Sequence, residues 1–137
     1  MEVGIVDGIG RIDASEWDAL CPPDDPFIRH AFLACLEDSG SASAKAGWMP
    51  AHVVVRHDGR LVGACPAYVK DHSYGEYIFD WGWAQASQQA GVPYYPKVVS
   101  AVPFTPATGR RVLVSPDFDE GLVIDGVIAG MQHELPV

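Results

Sequence analysis

His52 to Arg56 and Leu61 to Val69 are two apolar runs separated by His57-Asp58-Gly59. Asp-Gly supplies the positive φ values that a tight turn needs, so the pattern predicts a β-hairpin. In the second run Leu61, Gly63, Cys65, Ala67 and Val69 form one alternating set, and Val62, Ala64, Pro66 and Tyr68 form the other. Both sets are apolar, and a strand apolar on both faces is covered on both sides. Pro66 has no N–H to give to a ladder, which predicts a bulge or a local gap in pairing there. The rest of the chain must therefore supply partners for this hairpin.

Val3–Val6, stopped by Asp7-Gly8, reads as a short strand. Asp13 and Glu16 have capping-box spacing, predicting a helix from Ala14 to about Leu20 that Cys21-Pro22-Pro23 ends. Pro26 suits the first turn of a second helix, whose stripe of Phe27 or Ile28, Ala31, Phe32, Cys35 and Leu36 should face a core up to about Asp38. Phe79, Trp83, Ala86 and Ala90 share a third helical face, with Asp80 as a cap and Gly91 as a left-handed stop. Lys97–Val102 and Arg111–Val114 read as strands. Phe118–Leu135 reads as a helix weakened by Gly121, Gly126 and Gly130. The order is that of a single α+β domain over 1–137, with helices packed on a largely antiparallel sheet.

Several function classes are disfavoured. The net charge is −9 and only Arg110-Arg111 is a basic pair, so nucleic-acid binding by this part is not expected. No apolar run approaches the length of a membrane span. Cys21, Cys35 and Cys65 form no C-x-x-C pair, predicting reduced thiols in a cytoplasmic setting, with Cys35 in the core. His52, His57 and His133-Glu134 lack metal-ligand spacing, so no metal site is expected.

Nine of the fourteen aromatics lie between Tyr68 and Phe104. Rings beside a few polar groups make either a ligand pocket or an ordinary core. Asp71-His72-Ser73-Tyr74-Gly75-Glu76 is the densest polar cluster. His72 near Glu76 suits a general base held by a carboxylate, and equally a loop capping the next helix. Pro103-Phe104-Thr105-Pro106-Ala107-Thr108-Gly109-Arg110 offers two hydroxyls and a cation to an anionic ligand, or is a proline-stiffened turn. If these two strand exits share one end of the sheet, His72, Tyr74 and Glu76 should face Thr105, Thr108 and Arg110. Trp81, Tyr95 and Phe104 would then be walls, and Trp83 would belong to the core.

Gly47-Trp48-Met49-Pro50-Ala51-His52, Leu61 to Tyr68, Lys70 to Trp81, Tyr94-Tyr95-Pro96-Lys97 and Ala101 to Pro106 together resemble the bacterial FemAB-like proteins, described as peptidoglycan biosynthesis/recognition proteins or GNAT-family N-acetyltransferases. The resemblance runs from about Ile12 to Val114. It implies a GNAT-like fold and transfer of an acyl or aminoacyl group to an amine such as that of a cell-wall precursor. The donor it implies is acyl-CoA or aminoacyl-tRNA. His72 or Glu76 would take the amine proton. Family members carry two GNAT-like halves, so the chain resembles an N-terminal part, and Thr108-Gly109-Arg110-Arg111 only faintly echoes a phosphate-binding turn. An incomplete half leaves apolar surface uncovered, which predicts a homodimer through Val127, Met131 and Leu135. The alternative is a non-catalytic recognition module. A GNAT-like sheet requires the strands near Val53, Val62, Val99 and Val112 to lie together, with Trp83 buried.

Overall fold

A computed structural model describes residues 1–76 and 80–133. The predicted hairpin is its axis. β3 (His52–His57) and β4 (Arg60–Cys65) pair antiparallel, and Asp58 and Gly59 take φ of 51° and 78° at the turn. Beyond them β2 (Met49–Pro50) pairs with β5 (Tyr68–Lys70). Met49↔Val69 and Val53↔Cys65 keep one register, so β2–β3 and β4–β5 are a single long ribbon. The ladder is interrupted where Pro66 lacks its N–H. There the Ala67 N–H donates to His52 Nδ1 at 3.2 Å, and the Ala51 N–H to the Ala67 carbonyl at 2.9 Å.

The interruption divides the ribbon between two sheets. β1 (Glu2–Val6), β3, β4 and β7 (Leu113–Val114) form the first, and β2, β5 and β6 (Lys97–Val99) the second, all pairs being antiparallel. This corrects the expectation of one sheet: the Val99 strand lies in the second, because it pairs with the ribbon beyond Pro66. A bulge also shifts the β3–β4 register near Val62. It turns Leu61 and Ala64 to one face and Val62 and Cys65 to the other, rather than in simple alternation.

Both faces of the first sheet are covered, as its apolar strands require. On one face α1 (Ala14–Asp18), α2 (His30–Asp38) and the segment between them bury Trp17, Leu20, Ile28 and Leu33 against Val54, Leu61, Ala64 and Leu113. Asp13 caps α1 as predicted, accepting from the Ser15 and Glu16 N–H groups at 3.0 and 3.1 Å. Glu16 does not close the box; its carboxylate reaches Arg56 at 3.2 Å. α2 begins four residues after Pro26, because Asp18 Oδ1 accepts the His30 N–H at 2.9 Å and acts as the cap from another helix. The later start rotates the stripe. Leu33 faces inward, Ala31 and Cys35 are exposed, and Glu37 turns in to accept the Ile9 N–H at 2.8 Å.

On the other face α4 (Glu120–His133) packs Val123 and Val127 against Val53, Val55 and Val62. Its glycines are positions of close approach. A Cβ on Gly130 would lie 2.9 Å from Val3 Cγ1, and one on Gly63 of β4 would lie 2.3 Å from Val123 Cγ1. Gly63→Ala should therefore cost about 1–3 kcal/mol through overpacking. Adding Val123→Ala should restore part of it in urea denaturation; a neutral single substitution would show that α4 is free to shift. Val127 and Met131, the residues expected at a dimer contact, pack on the chain's own sheet, and Leu135 lies outside the described residues.

α3 (Trp81–Gln89) buries nothing, and Trp83 is 75% exposed. This corrects its assignment to the core; Phe79, the first residue of the proposed face, lies outside the described residues. The two marks of a GNAT-like sheet, four strands together and a buried Trp83, are thus both missing. The structure shows an α+β fold with antiparallel sheets and four α-helices among the described residues.

Candidate functional site

The second sheet carries the densest polar chemistry. Lys70 and Lys97, two of the three lysines in the chain, are direct partners in the β5–β6 register. The Lys70 side chain has no solvent exposure. Its Nζ donates to the Tyr74 carbonyl at 2.5 Å and sits 3.7 Å from the centre of the Trp48 ring. Glu76 Oε2 is 3.6 Å away. Lys97 Nζ holds Glu76 Oε1 and the Ser73 hydroxyl, both at 3.0 Å, and Asp80 Oδ2. The Tyr94 hydroxyl also reaches Asp80, and the Tyr95 hydroxyl pairs with that of Ser73.

Physical causes set the charges. Burial pushes the Lys70 ammonium down, against the pull of Glu76. Burial also disfavours the charged Lys97, but hydrogen bonds to Asp80 and Glu76 outweigh it and raise its pKa. For Asp80, burial disfavours the carboxylate, and hydrogen bonds from Lys97, Ser73 and Tyr94 prevail and bring it down to about 2. Two ammonium groups and two carboxylates thus compensate one another in a poorly solvated space.

Beside this cluster a cleft of about 700 Å³ opens between β6 and the loop that follows it. Trp48, Glu76, Val102, Thr105, Thr108 and Arg111 line it. Two of these residues bring buried polar atoms with no hydrogen-bond partner among the described residues, Trp48 Nε1 and Glu76 Oε2. Buried polar groups are nearly always paired, so such atoms in a cleft wall stand ready for a ligand. Arg111 donates to the Ala107 and Arg110 carbonyls at 3.1 and 3.3 Å, and to no carboxylate among the described residues.

The two strand exits do converge, in part. Glu76, Thr105 and Thr108 share the cleft. Phe104 is not among the lining residues; its ring lies 5.6 Å from that of Trp48 by ring centres. Arg110 points elsewhere and pairs with Glu120 at 2.6 Å on the surface, and Arg111 takes the place by the cleft. His72 does not line the cleft. Its ring lies against Gly47, and its Nδ1 accepts the Tyr74 N–H at 3.1 Å. Tyr74 is 70% exposed and stacks edge-on with Trp81. Trp81 and Tyr95 line a separate groove with Tyr94. Asp80 sits at the start of α3, but its side chain serves Lys97 and Tyr94 rather than the helix.

Sequence reading missed Lys70, Lys97, Trp48 and Arg111. The available signal was a lysine at one end of each of two apolar strands, Lys70 closing its strand and Lys97 opening its own, where a charge needs a partner.

A second buried polar group joins the layers. His52 is fully buried; its Nδ1 accepts the Ala67 N–H, so its Nε2 carries the proton donated to Glu37 at 2.8 Å. Among the described residues there is no group of side chains suited to a metal ion, and no helix is long and apolar enough to cross a membrane.

No curated protein and no solved structure matches the chain. A family model does, that of the FemAB-like proteins of peptidoglycan biosynthesis/recognition, over residues 8–135. That span includes the whole ribbon, the lysine–carboxylate cluster and the cleft, and with it the chain belongs to the FemAB-like family.

Proposed function

We propose that the cleft takes the amine of a cell-wall precursor and an activated acyl or aminoacyl group, and that the chain serves acyl transfer to that amine. Glu76 carries this reading: it lines the cleft, Lys97 fixes one carboxylate oxygen, and the other has no hydrogen-bond partner among the described residues. Family membership supports the substrate class. The reading does not depend on a GNAT-like sheet.

The uncharged amine attacks the carbonyl carbon of a thioester or ester. A C–N bond forms, the C–S or C–O bond to the donor breaks, and the donor leaves as a thiol or alcohol. The proton lost by the nitrogen passes through Glu76 Oε2 to the leaving atom, so charge and protons balance. Arg111 would hold a carboxylate or phosphate of either substrate, with Thr105 and Thr108 as hydrogen-bonding groups. Trp48 is the apolar wall. His72, which accepts the Tyr74 N–H, would be a positioning residue for the turn that carries Glu76. Acyl-CoA and aminoacyl-tRNA are the donors to offer. On this reading residues 1–137 act as one unit of a longer FemAB-like architecture.

Glu76→Gln keeps the shape of the side chain and removes the base. Transfer to a peptidoglycan-precursor amine should fall about 100-fold or more, with acceptor binding retained. Equal loss of binding and transfer would make Glu76 a binding group. An unsubstituted chain that binds the precursor but transfers nothing from either donor would establish the second reading, a recognition module. That reading is favoured by the ion pairs that already neutralise Glu76.

A further inference from the structure

α3 and the segment after it form a groove of about 460 Å³, sharing no lining residue with the cleft and lined by Trp81, Gln85, Gln88, Val92, Tyr94 and Tyr95 among others. Among the described residues none that lines this groove is ionisable at neutral pH, in a chain whose net charge is −9. From Trp81 to Tyr95 the sequence has no Asp, Glu, Lys or Arg at all. Trp81, Gln85 and Gln88 follow one another at four- and three-residue spacing, so they share a face of the helix.

The lining is chemically specific. Trp81 is 45% exposed although large, and its other neighbour is the edge of Tyr74 at 5.4 Å. The Tyr94 and Tyr95 rings stand edge-to-face at 5.0 Å. Their hydroxyls are tied to Asp80 and Ser73, which fixes both rings. The Gln85 and Gln88 amides have no hydrogen-bond partner among the described residues, and each offers two donors and an acceptor. An exposed indole, immobilised rings and free amides, with no charge, match a ligand that has C–H faces and neutral hydroxyl or acetamido groups. A peptide carboxylate, a phosphate or a nucleic acid would find no counter-charge here, and a purely apolar partner would leave both amides unpaired.

We propose that this groove binds a neutral saccharide, with a pyranose ring stacked on Trp81 and its hydroxyl or acetamido groups paired with Gln85 and Gln88. The inference deepens the cell-wall reading and rests on it for the source of the sugar: the groove would hold the glycan part of the acceptor whose amine reaches the cleft. Glu76 is not among the residues that line the groove.

The test is titration of the chain with chitotriose, with maltotriose as a second neutral saccharide, followed by tryptophan fluorescence and by shifts of the Gln side-chain amide resonances. Saturable chitotriose binding should shift the Gln85 and Gln88 amides. Trp81→Ala should weaken it about tenfold or more, while Trp83→Ala leaves it unchanged. Neither substitution removes a buried side chain, so both variants should fold, as circular dichroism would verify. Binding should survive Glu76→Gln, which separates failure of this proposal from failure of the transfer reading. Preference for chitotriose over maltotriose would assign the acetamido group to the amides; equal binding would assign the hydroxyls. No saturable binding of either saccharide, or binding untouched by Trp81→Ala, overturns the proposal.

Discussion

Lys97→Met should be the most destabilising single change within the lysine–carboxylate cluster, at about 3 kcal/mol. Lys97 ion-pairs with both Glu76 and Asp80, and all three side chains are only 14% exposed. Removing one member of a buried ion pair costs more than the pair contributes, because the remaining charge is left in a space poor in water. Glu76 retains Lys70 at 3.6 Å, but Asp80 keeps only hydroxyl partners. The loss should therefore be recovered mostly by adding Asp80→Asn, and less by Glu76→Gln. Urea denaturation of the four chains measures this, and a cost for Lys97→Met below about 1 kcal/mol would show that water reaches the cluster.

The same cluster sets an acid limit. The folded-state pKa of Asp80 lies near 2, below its ordinary value of 3.8. A carboxylate with a depressed folded pKa contributes stability that is fully present above its unfolded value. That contribution is lost as pH falls from about 4 through about 2. In Lys97→Met the main hydrogen bond holding Asp80 ionised is gone, so its folded pKa rises back toward 3.8 and this acid loss should shrink. At the alkaline end the raised Lys97 pKa has the opposite sign: its stabilisation is present below 10.5 and fades only above it.

Trp48→Ala should cost about 3–5 kcal/mol, the usual penalty for removing a large buried aromatic. The side chain is 1% exposed, meets Tyr68 edge-on at 5.3 Å and Phe104 at 5.6 Å, and carries the Lys70 ammonium over its face. Alanine would remove these contacts together and merge the cavity with the cleft. Trp48→Phe should cost far less, since it keeps a ring between Tyr68 and Lys70 and removes an indole N–H that has no partner among the described residues. Equal losses for the two variants in thermal denaturation would mean that the indole as a whole, and not its ring face, is needed. Because Trp48 lines the cleft, the phenylalanine variant also reports ligand binding without the stability loss.

Much of the frame was legible because its signals are local. Asp58-Gly59 specified the turn, Pro66 the gap in the ladder, and Asp13 the first helix cap. The run from Leu61 to Val69, apolar in both its alternating sets, foretold a strand covered on both faces. What was hidden depended on distant partners. The start of α2 is set by Asp18, twelve residues before the N–H it accepts. The division into two sheets depends on which stretch of the ribbon Lys97–Val99 chooses, and no local pattern encodes that choice. Trp83 shows the limit of periodicity: a helical stripe says which residues share a face, and not whether anything covers it. At the site, Glu76, Thr105 and Thr108 were legible as polar groups at strand exits. Arg111 was passed over for its neighbour because two adjacent arginines diverge only in three dimensions.

The interrupted ribbon has a consequence for motion. Hydrogen-bond ladders transmit cooperativity, and the ladder is broken at Pro66 between a sheet clamped by helices on both faces and a three-stranded one that is not. Such a joint lets the smaller unit open below the free energy of global unfolding. The elements that carry Lys70, Lys97 and the cleft should then open as one unit, joined through His52 and Tyr68 to the first sheet. A ligand that closes the cleft would quench this breathing first, so its binding energy would appear as slowed amide exchange in Tyr68–Lys70 and Lys97–Val99 before it raised the stability of the whole chain.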